Sequence, residues 1–283
     1  QTVHGCLLLL RWDVDVLRKG LRHPSPLLFI LANTRALAPD QAAFRNREIC
    51  SALRQALAAE GMTPTDVVLV SRGDSTLRGH GVLEPEVIAE ELGPFDATLH
   101  VPAFLEGGRT TVNGVHLLDG KPVHATAFGQ DRLFGYSTSD LAAWLEEKSG
   151  GQIQSQAVQR LSLAQLDAAV EDQAAAQQGD AGSKVLRGWL ASLDRNQPVV
   201  VDAERAEQLG ALAEAVRQLV GQKRFLFRSA ASLLKALAEI GPQSLSSAGL
   251  AGLRRFDRAG QPLPESESSP SPESESEPER LPG

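Results

Sequence analysis

The 283-residue sequence has no apolar run near the ~20 residues that a membrane-spanning helix needs; its longest, residues 27–32, is the length of a strand. It lacks a positively charged start followed by an apolar stretch, so no signal peptide is read from it. Cysteine is scarce. Cys6 and Cys50 both sit in apolar patterns and read as reduced, buried thiols of a cytoplasmic protein rather than a disulfide or a metal site. His80, His100, His116 and His124 lack the spacing of metal ligands, which points to structural or solvent roles. No internal repeat is present, and no Gly-x-x-x-x-Gly-Lys-Ser/Thr phosphate loop. Charge excess is also missing from the body of the chain. The net charge is −7, but residues 264–283 hold six Glu against one Arg, so the rest is near −2. Such a body offers no electrostatic footprint for nucleic acid or for a membrane surface.

What is present is an ordinary globular composition, 42% hydrophobic and 22% charged. Continuous apolar runs at 5–10, 27–32, 66–71, 97–101, 198–201 and 224–227 read as strands buried on both faces, as in a parallel sheet covered by helices. Amphipathic stretches lie between them. Residues 39–60 put Ala42, Ile49, Leu53 and Leu57 on one side, with Gly61 as a stop. Ser139 can cap a helix carrying Leu141, Trp144 and Leu145 that ends at Gly150-Gly151. Residues 163–178, 183–193, 203–220 and 229–240 also read as helical. The alternation predicts an α/β fold, a doubly wound, mostly parallel sheet with helices on both faces. Trp12, Trp144 and Trp189 fit packing better than a sugar-stacking platform. Residues 256–283 form a Pro/Ser/Glu tail, read as disordered because it cannot bury enough apolar surface to offset its ordering entropy.

In open parallel sheets, ligands bind beyond the carboxyl ends of the strands. Those positions hold Asn33-Thr34-Arg35, then residues 72–80, then 102–116, then Asp202, and finally Arg228-Ser229. Arginine, Asp, Ser, Thr, Asn and Gly therefore gather at one edge. That set suits a small anionic ligand rich in hydroxyls: guanidinium forks grip carboxylates, and short polar side chains bond hydroxyls. The competing reading is that these are ordinary turn residues. For Asn33-Thr34-Arg35 the two readings stand level. For residues 72–78, two arginines flanking Asp-Ser-Thr exceed what a turn needs.

The run Ser71-Arg72-Gly73-Asp74-Ser75-Thr76-Leu77-Arg78-Gly79 resembles the Lys/Arg-x-Asp-Ser-Thr-Leu-Arg-Gly signature of the four-carbon acid sugar kinase family. Val101-Pro102-Ala103-Phe104 followed by residues 108–116 is similar to that family's second signature, and residues 120–139 follow its pattern with Thr126, Asp131 and Ser139 at polar positions. The resemblance covers roughly residues 1–240. It implies the substrate-binding N-terminal domain of a two-domain kinase that uses ATP and Mg²⁺ to phosphorylate threonate, erythronate or 3-oxo-tetronates. By motif position it carries over Arg72, Asp74, Ser75, Arg78 and Arg109 as substrate-site residues. Arg35, Asn113 and His116, which lie in the same loops, join them as candidates. Arg78 and Arg109 are the leading carboxylate donors; the alternative is a surface ion pair with Glu84 or Glu106. Asp74 is the candidate catalytic group, to orient or deprotonate the accepting hydroxyl, or else a cap or salt-bridge partner of Arg72 or Arg78. Ser75 has no histidine base and reads as a substrate donor, not a nucleophile.

The sequence departs from the family pattern at both ends. The family's acidic Asp-Asp-x-x-Thr-Gly-like opening is not found ahead of Gln1-Thr2-Val3-His4-Gly5, and after Leu253 comes the Glu/Ser/Pro tail where the family continues into a nucleotide-binding domain. The expectation is thus residues 1–255 as a substrate-binding domain without its first segment, a tail at 256–283, and no residues that would hold ATP. Three readings follow. The chain is a kinase substrate domain that is truncated or works with a separate nucleotide-binding chain, a catalytically silent sugar-acid binder, or an unrelated α/β module whose acidic tail docks a partner. Deleting residues 261–283 should leave the thermal midpoint nearly unchanged, because they contain almost no core-forming residue. A drop of several degrees in a melting scan would show that the tail packs.

Overall fold

The computed structural model describes residues 5–176 and 184–241, which fall within one compact unit, Gln1–Gly241. The expected domain boundary at 255 and the tail lie outside the described residues. Strands β1 (Leu7–Leu9) and β2 (Leu28–Ile30) pair in parallel as a small sheet of their own, joined by helix α1 (Val14–Leu21). Helix α2 (Pro39–Ala59) leads to β3 (Leu69–Arg72), α3 (Leu83–Leu92) and β4 (Ala97–Val101). An antiparallel excursion follows, β5 (Arg109–Val112), β6 (Val115–Leu118) and β7 (Lys121–Pro122). The chain continues through α4 (Leu141–Lys148), β8 (Gln159–Leu161), α5 (Leu163–Ala176) and α6 (Lys184–Ser192), then β9 (Gln197–Val201), α7 (Ala206–Arg217), β10 (Phe225–Ser229) and α8 (Ala231–Leu237). The main sheet is five-stranded and entirely parallel, in the order β3-β10-β4-β9-β8.

Side-chain alternation sorts this sheet into two faces. Ala97, Leu99 and Val101 of β4, with Val199, Val201, Phe225 and Phe227, pack under α5, α6, α7 and α8 in the largest apolar cluster. The other face is covered by two smaller clusters. One joins α1, α2, Leu92 and Phe95 to Leu226, and the other joins Trp144, Leu141 and Tyr136 to Val200. Polar side chains lie on this second face among the two clusters: Ser71 of β3, His100 of β4 and Arg228 of β10, all buried. Strand register makes them neighbours, since Arg228 stands opposite both Ser71 and His100.

All six expected strands are present, as are helices α2 and α4 to α8. Three differences stand out. Asp140, not Ser139, caps α4, its carboxylate accepting from the Ala143 amide at 2.9 Å; Ser139 instead bonds His124. The excursion β5–β7 and the edge strand β8 were not expected, and neither were α1 and α3. Cys50 is buried, its thiol pushed up to about 12 chiefly by desolvation, whereas Cys6 is only half-buried. No helix among the described residues is long and apolar enough to cross a membrane.

Two glycines give opposite expectations. A Cβ on Gly81 would overlap the Trp144 ring, standing 2.9 Å from Cζ2, in a region where both elements are packed. Gly81→Ala should therefore destabilise by about 1–3 kcal/mol through overpacking. Gly210 lies within α7 with nothing within 4 Å of a Cβ, so Gly210→Ala should stabilise by about 0.5–1 kcal/mol. Chemical denaturation of both variants checks the pair of signs.

Candidate functional site

Beyond the carboxyl end of β3 the chain makes a tight turn whose polar groups are fixed from several sides. Leu77 adopts a left-handed backbone at φ 64, and its amide donates to the Asp74 carbonyl at 3.0 Å. A side chain with a Cβ is strained there and persists only where its surroundings hold it; Leu77 is buried in the Trp144 cluster. The Tyr136 hydroxyl donates to the Thr76 carbonyl at 2.7 Å. The His116 Nε2 donates to the Ser75 carbonyl at 2.7 Å, which leaves Nδ1 to accept from the Thr111 hydroxyl at 2.9 Å.

Asp74 is the centre of the charged part. Its Oδ2 lies 2.8 Å from Arg78 Nε and 3.2 Å from Arg35 Nη1, while Oδ1 accepts from the Thr76 amide at 3.2 Å. Arg78 also bonds Thr76 Oγ1 at 3.1 Å, approaches Asp131 at 3.8 Å and stacks over the Phe128 ring at 4.7 Å. The Phe134 and then the Leu133 amide, with help from Arg78 and Arg35, hold the Asp131 carboxyl below the usual carboxylate range. Burial, and then the Asp74 charge, push the Tyr136 hydroxyl upward.

The excursion β5–β7 is docked onto this turn and onto the end of β9. Asp202 accepts from the Asn113 and Gly114 amides at 3.0 and 2.8 Å and from the Leu163 amide at 3.3 Å. It is thus a strut between the hairpin and α5, its proton affinity raised by burial against those three bonds. Asn113 itself is exposed, with φ 52, in the turn it makes with Gly114. Arg109 is half-buried. Its Nη1 donates to the Gly107 carbonyl at 2.6 Å, its plane lies 5.8 Å from the Phe104 ring, and its buried Nε has no partner. Glu106 bonds Ser232 rather than Arg109.

Of the sequence candidates, Arg35, Asp74, Ser75 and Arg78 therefore come together, and His116 ties the hairpin bearing Arg109 and Asn113 to them. Arg72 does not join them: it ends β3 exposed, its side chain without a partner among the described residues, and alternation sets it on the opposite face from Ser71. Glu84 is buried, bonded to Thr34 and to Arg228, and so is not a surface partner for Arg78. His80 bonds the Leu37 carbonyl at 3.0 Å. Sequence reasoning placed Arg228 at this edge without naming it a site residue and missed His100 and Trp144; all three, together with Gly73, Asp74 and Arg78, line a narrow cleft. The cleft has about 20 Å³ of interior space, room for roughly one or two water-sized oxygens. Arg228 carried one available signal, a charged residue at the end of an apolar strand.

A family model described as a sugar-binding N-terminal domain matches residues 2–237. A domain of unknown function from Bordetella bronchiseptica, solved with bound citrate as a domain-swapped dimer, shares 22% identity at a TM-score of 0.59, over 84% of this chain and 50% of its own. A protein of the same domain family from Haemophilus influenzae shares 17% identity at a TM-score of 0.55, over 83% of this chain and 55% of its own. The chain thus spans about half the length of these structures, and at such identities they establish the fold alone. No curated protein matches it.

The buried histidines set the pH behaviour. Desolvation holds His116 at about 4, and desolvation with the nearby Arg228 charge holds His100 at about 3, both below an ordinary 6.5. The unfolded chain then takes up protons that the folded chain does not. Stability is complete above about pH 6.5 and is lost as pH falls from there toward 4. His116 contributes about 3 kcal/mol of that loss. Denaturant midpoints should drop between pH 7 and 4, and a His116→Gln protein, less stable at pH 7, should lose less on acidification. Equal losses in the two proteins would rule out a buried, neutral His116.

Proposed function

Because this chain belongs to the family of sugar-binding N-terminal domains of the four-carbon acid sugar kinases, we propose that it binds a small polyhydroxy acid of the threonate, erythronate or 3-oxo-tetronate type and presents one hydroxyl for ATP-dependent phosphorylation. The observation that carries this reading is the charge arrangement of the turn after β3. Asp74 is locked by Arg35 and Arg78 with its carboxylate at the cleft, while Arg109, tied to the same turn through His116, has no carboxylate partner. A locked carboxylate accepts a hydrogen bond from a hydroxyl at little ordering cost, and an unmatched guanidinium attracts an acid. The Ser75 hydroxyl, bonded to no group among the described residues, is a further donor for the sugar. The citrate held by the Bordetella bronchiseptica protein is a hydroxy acid of the same chemical kind.

Asp74 is the group that would orient the accepting hydroxyl, and Arg35, Arg78 and Arg109 those that would neutralise the acid. ATP and Mg²⁺ enter this reading from the family. The described residues contain no cluster of three His, Cys, Asp or Glu side chains that could hold a metal, so no transfer step is assigned to them. Phosphorylation belongs to the whole protein, a cytoplasmic carbohydrate kinase in this reading, with the nucleotide held outside the residues described.

Calorimetry with threonate and its neutral counterpart threitol tests the acid site. Threonate should bind at least tenfold more tightly. Arg78→Ala or Arg109→Ala should weaken it ten- to a hundredfold, the effect of losing about 1.5–3 kcal/mol of charged hydrogen bonding. Equal affinity for acid and polyol would refute an anion site at this edge.

A further inference from the structure

Arg228 stands at the end of the central strand β10 and is 8% exposed. Its Nη1 donates to Ser71 Oγ at 2.7 Å and to the Glu84 carboxylate. Its Nε and Nη2 have no partner among the described residues. Those two nitrogens form the side of a guanidinium that matches the two oxygens of a carboxylate. They also face Gly73: a Cβ there would stand 2.6 Å from Nε and 3.2 Å from Nη2. The missing side chain leaves room over the guanidinium plane beside Nε, and both residues line the cleft.

His100 lines the same cleft from the adjacent strand, directly opposite Arg228 in register. It is 5% exposed, and among the described residues its buried Nδ1 has no partner and its ring receives no hydrogen bond. A neutral imidazole carries one donor and one acceptor, and leaving both unmatched in a buried place is costly. The indole Nε1 of Trp144, a third lining residue, is likewise buried without a partner. Unpaired polar atoms thus gather on the residues that line a cleft the size of one or two oxygens.

The geometry points to Arg228 and His100 as the inner carboxylate subsite: the free Nε–Nη2 fork of Arg228 receives the carboxylate of the bound acid, and His100 donates to one of its oxygens. This rests on the acid-binding reading above and assigns its ends. The carboxylate lies inward, in place of water, and the hydroxylated carbons extend to the mouth, where Asp74 and Ser75 meet them. Arg78 does not compete for the inner role, because its Nε is spent on Asp74 and Thr76. The cleft floor then carries most of the preference for acid over polyol, since a neutral alcohol would leave the buried fork unmatched, while Arg78 and Arg109 add positive charge at the mouth.

The test uses the full chain, with threonate and threitol as probes. Arg228→Lys keeps a cation beside Glu84 and removes the fork; His100→Leu keeps the volume and removes the nitrogens. Each should weaken threonate at least tenfold and leave threitol unchanged, so that the preference for the acid collapses. Unchanged threonate affinity in both folded variants, with wild type still preferring the acid, overturns the subsite and leaves the acid-binding reading standing. A wild type that shows no preference overturns both. Should the variants fail to fold, nitrogen-15 resonances of the histidines decide in wild type: a saturable shift of the His100 ring nitrogens on adding threonate, absent with threitol, is expected, and unmoved resonances overturn the proposal.

Discussion

Glu84 and Arg228 are 144 residues apart and form an ion pair whose side chains are only 10% and 9% exposed. Each has a second partner, Thr34 for Glu84 and Ser71 for Arg228. The pair therefore joins four segments, the loop after β2, the end of β3, the first turn of α3 and the end of β10. A buried pair of this kind contributes little net stability compared with an apolar replacement, but removing one partner strands the other at a cost of about 3–5 kcal/mol. Its effect is on arrangement: it fixes one side of the Arg228 guanidinium and thereby aims the other side at the cleft.

The sheet order explains why the last strand matters to a motif read near residue 74. β10 inserts between β3 and β4, so Arg228-Ser229 lies in register with Ser71-Arg72 on one side and His100-Val101 on the other. The Gly73 amide donates to the Ser229 carbonyl at 2.8 Å, which extends the ladder into the loop. Parallel strands in this order bring the chemistry of three distant segments to one edge. The two apolar clusters that flank them, one under α1 and α2 and one under α4, leave the polar floor exposed to a narrow opening and not to bulk water.

Much of this was legible. The six apolar runs read as strands because a strand buried on both faces shows no alternation, and the loop residues Arg35, Asp74 and Arg78 converge as expected, although β2, which precedes Arg35, pairs in a sheet of its own. The antiparallel excursion was not read, although Asn113-Gly114 and Asp119-Gly120 are favoured two-residue hairpin turns, with φ of 52 and 78, then 48 and 76. Its strands Thr110-Thr111-Val112 and Val115-His116-Leu117 lie within a polar motif that drew a functional reading first. β8, Gln159-Arg160-Leu161, is a three-residue edge strand with one buried side chain, too short to stand out. The pairing of Arg228 with Glu84 and the register with His100 depend on contacts between segments more than a hundred residues apart, and no local pattern carries that information.

The turn at residues 74–78 shows why its polar groups can remain available. Its conformation does not depend on the side chains that would meet a ligand. The backbone carbonyls of Ser75 and Thr76 are held by His116 and Tyr136, and the strained Leu77 is held by packing. Burial keeps His116 neutral and puts the Tyr136 hydroxyl beyond ionisation near neutrality, so neither support changes its hydrogen bond there. The Ser75 hydroxyl then has no partner among the described residues, and the Asp74 carboxylate is oriented before any ligand arrives. Side chains already in place lose little entropy on binding, so a hydrogen bond made to them contributes more of its strength to affinity. The left-handed residue in this turn has the same logic: strain borne by the backbone where packing can hold it leaves polar groups pointing where no relaxed turn would put them.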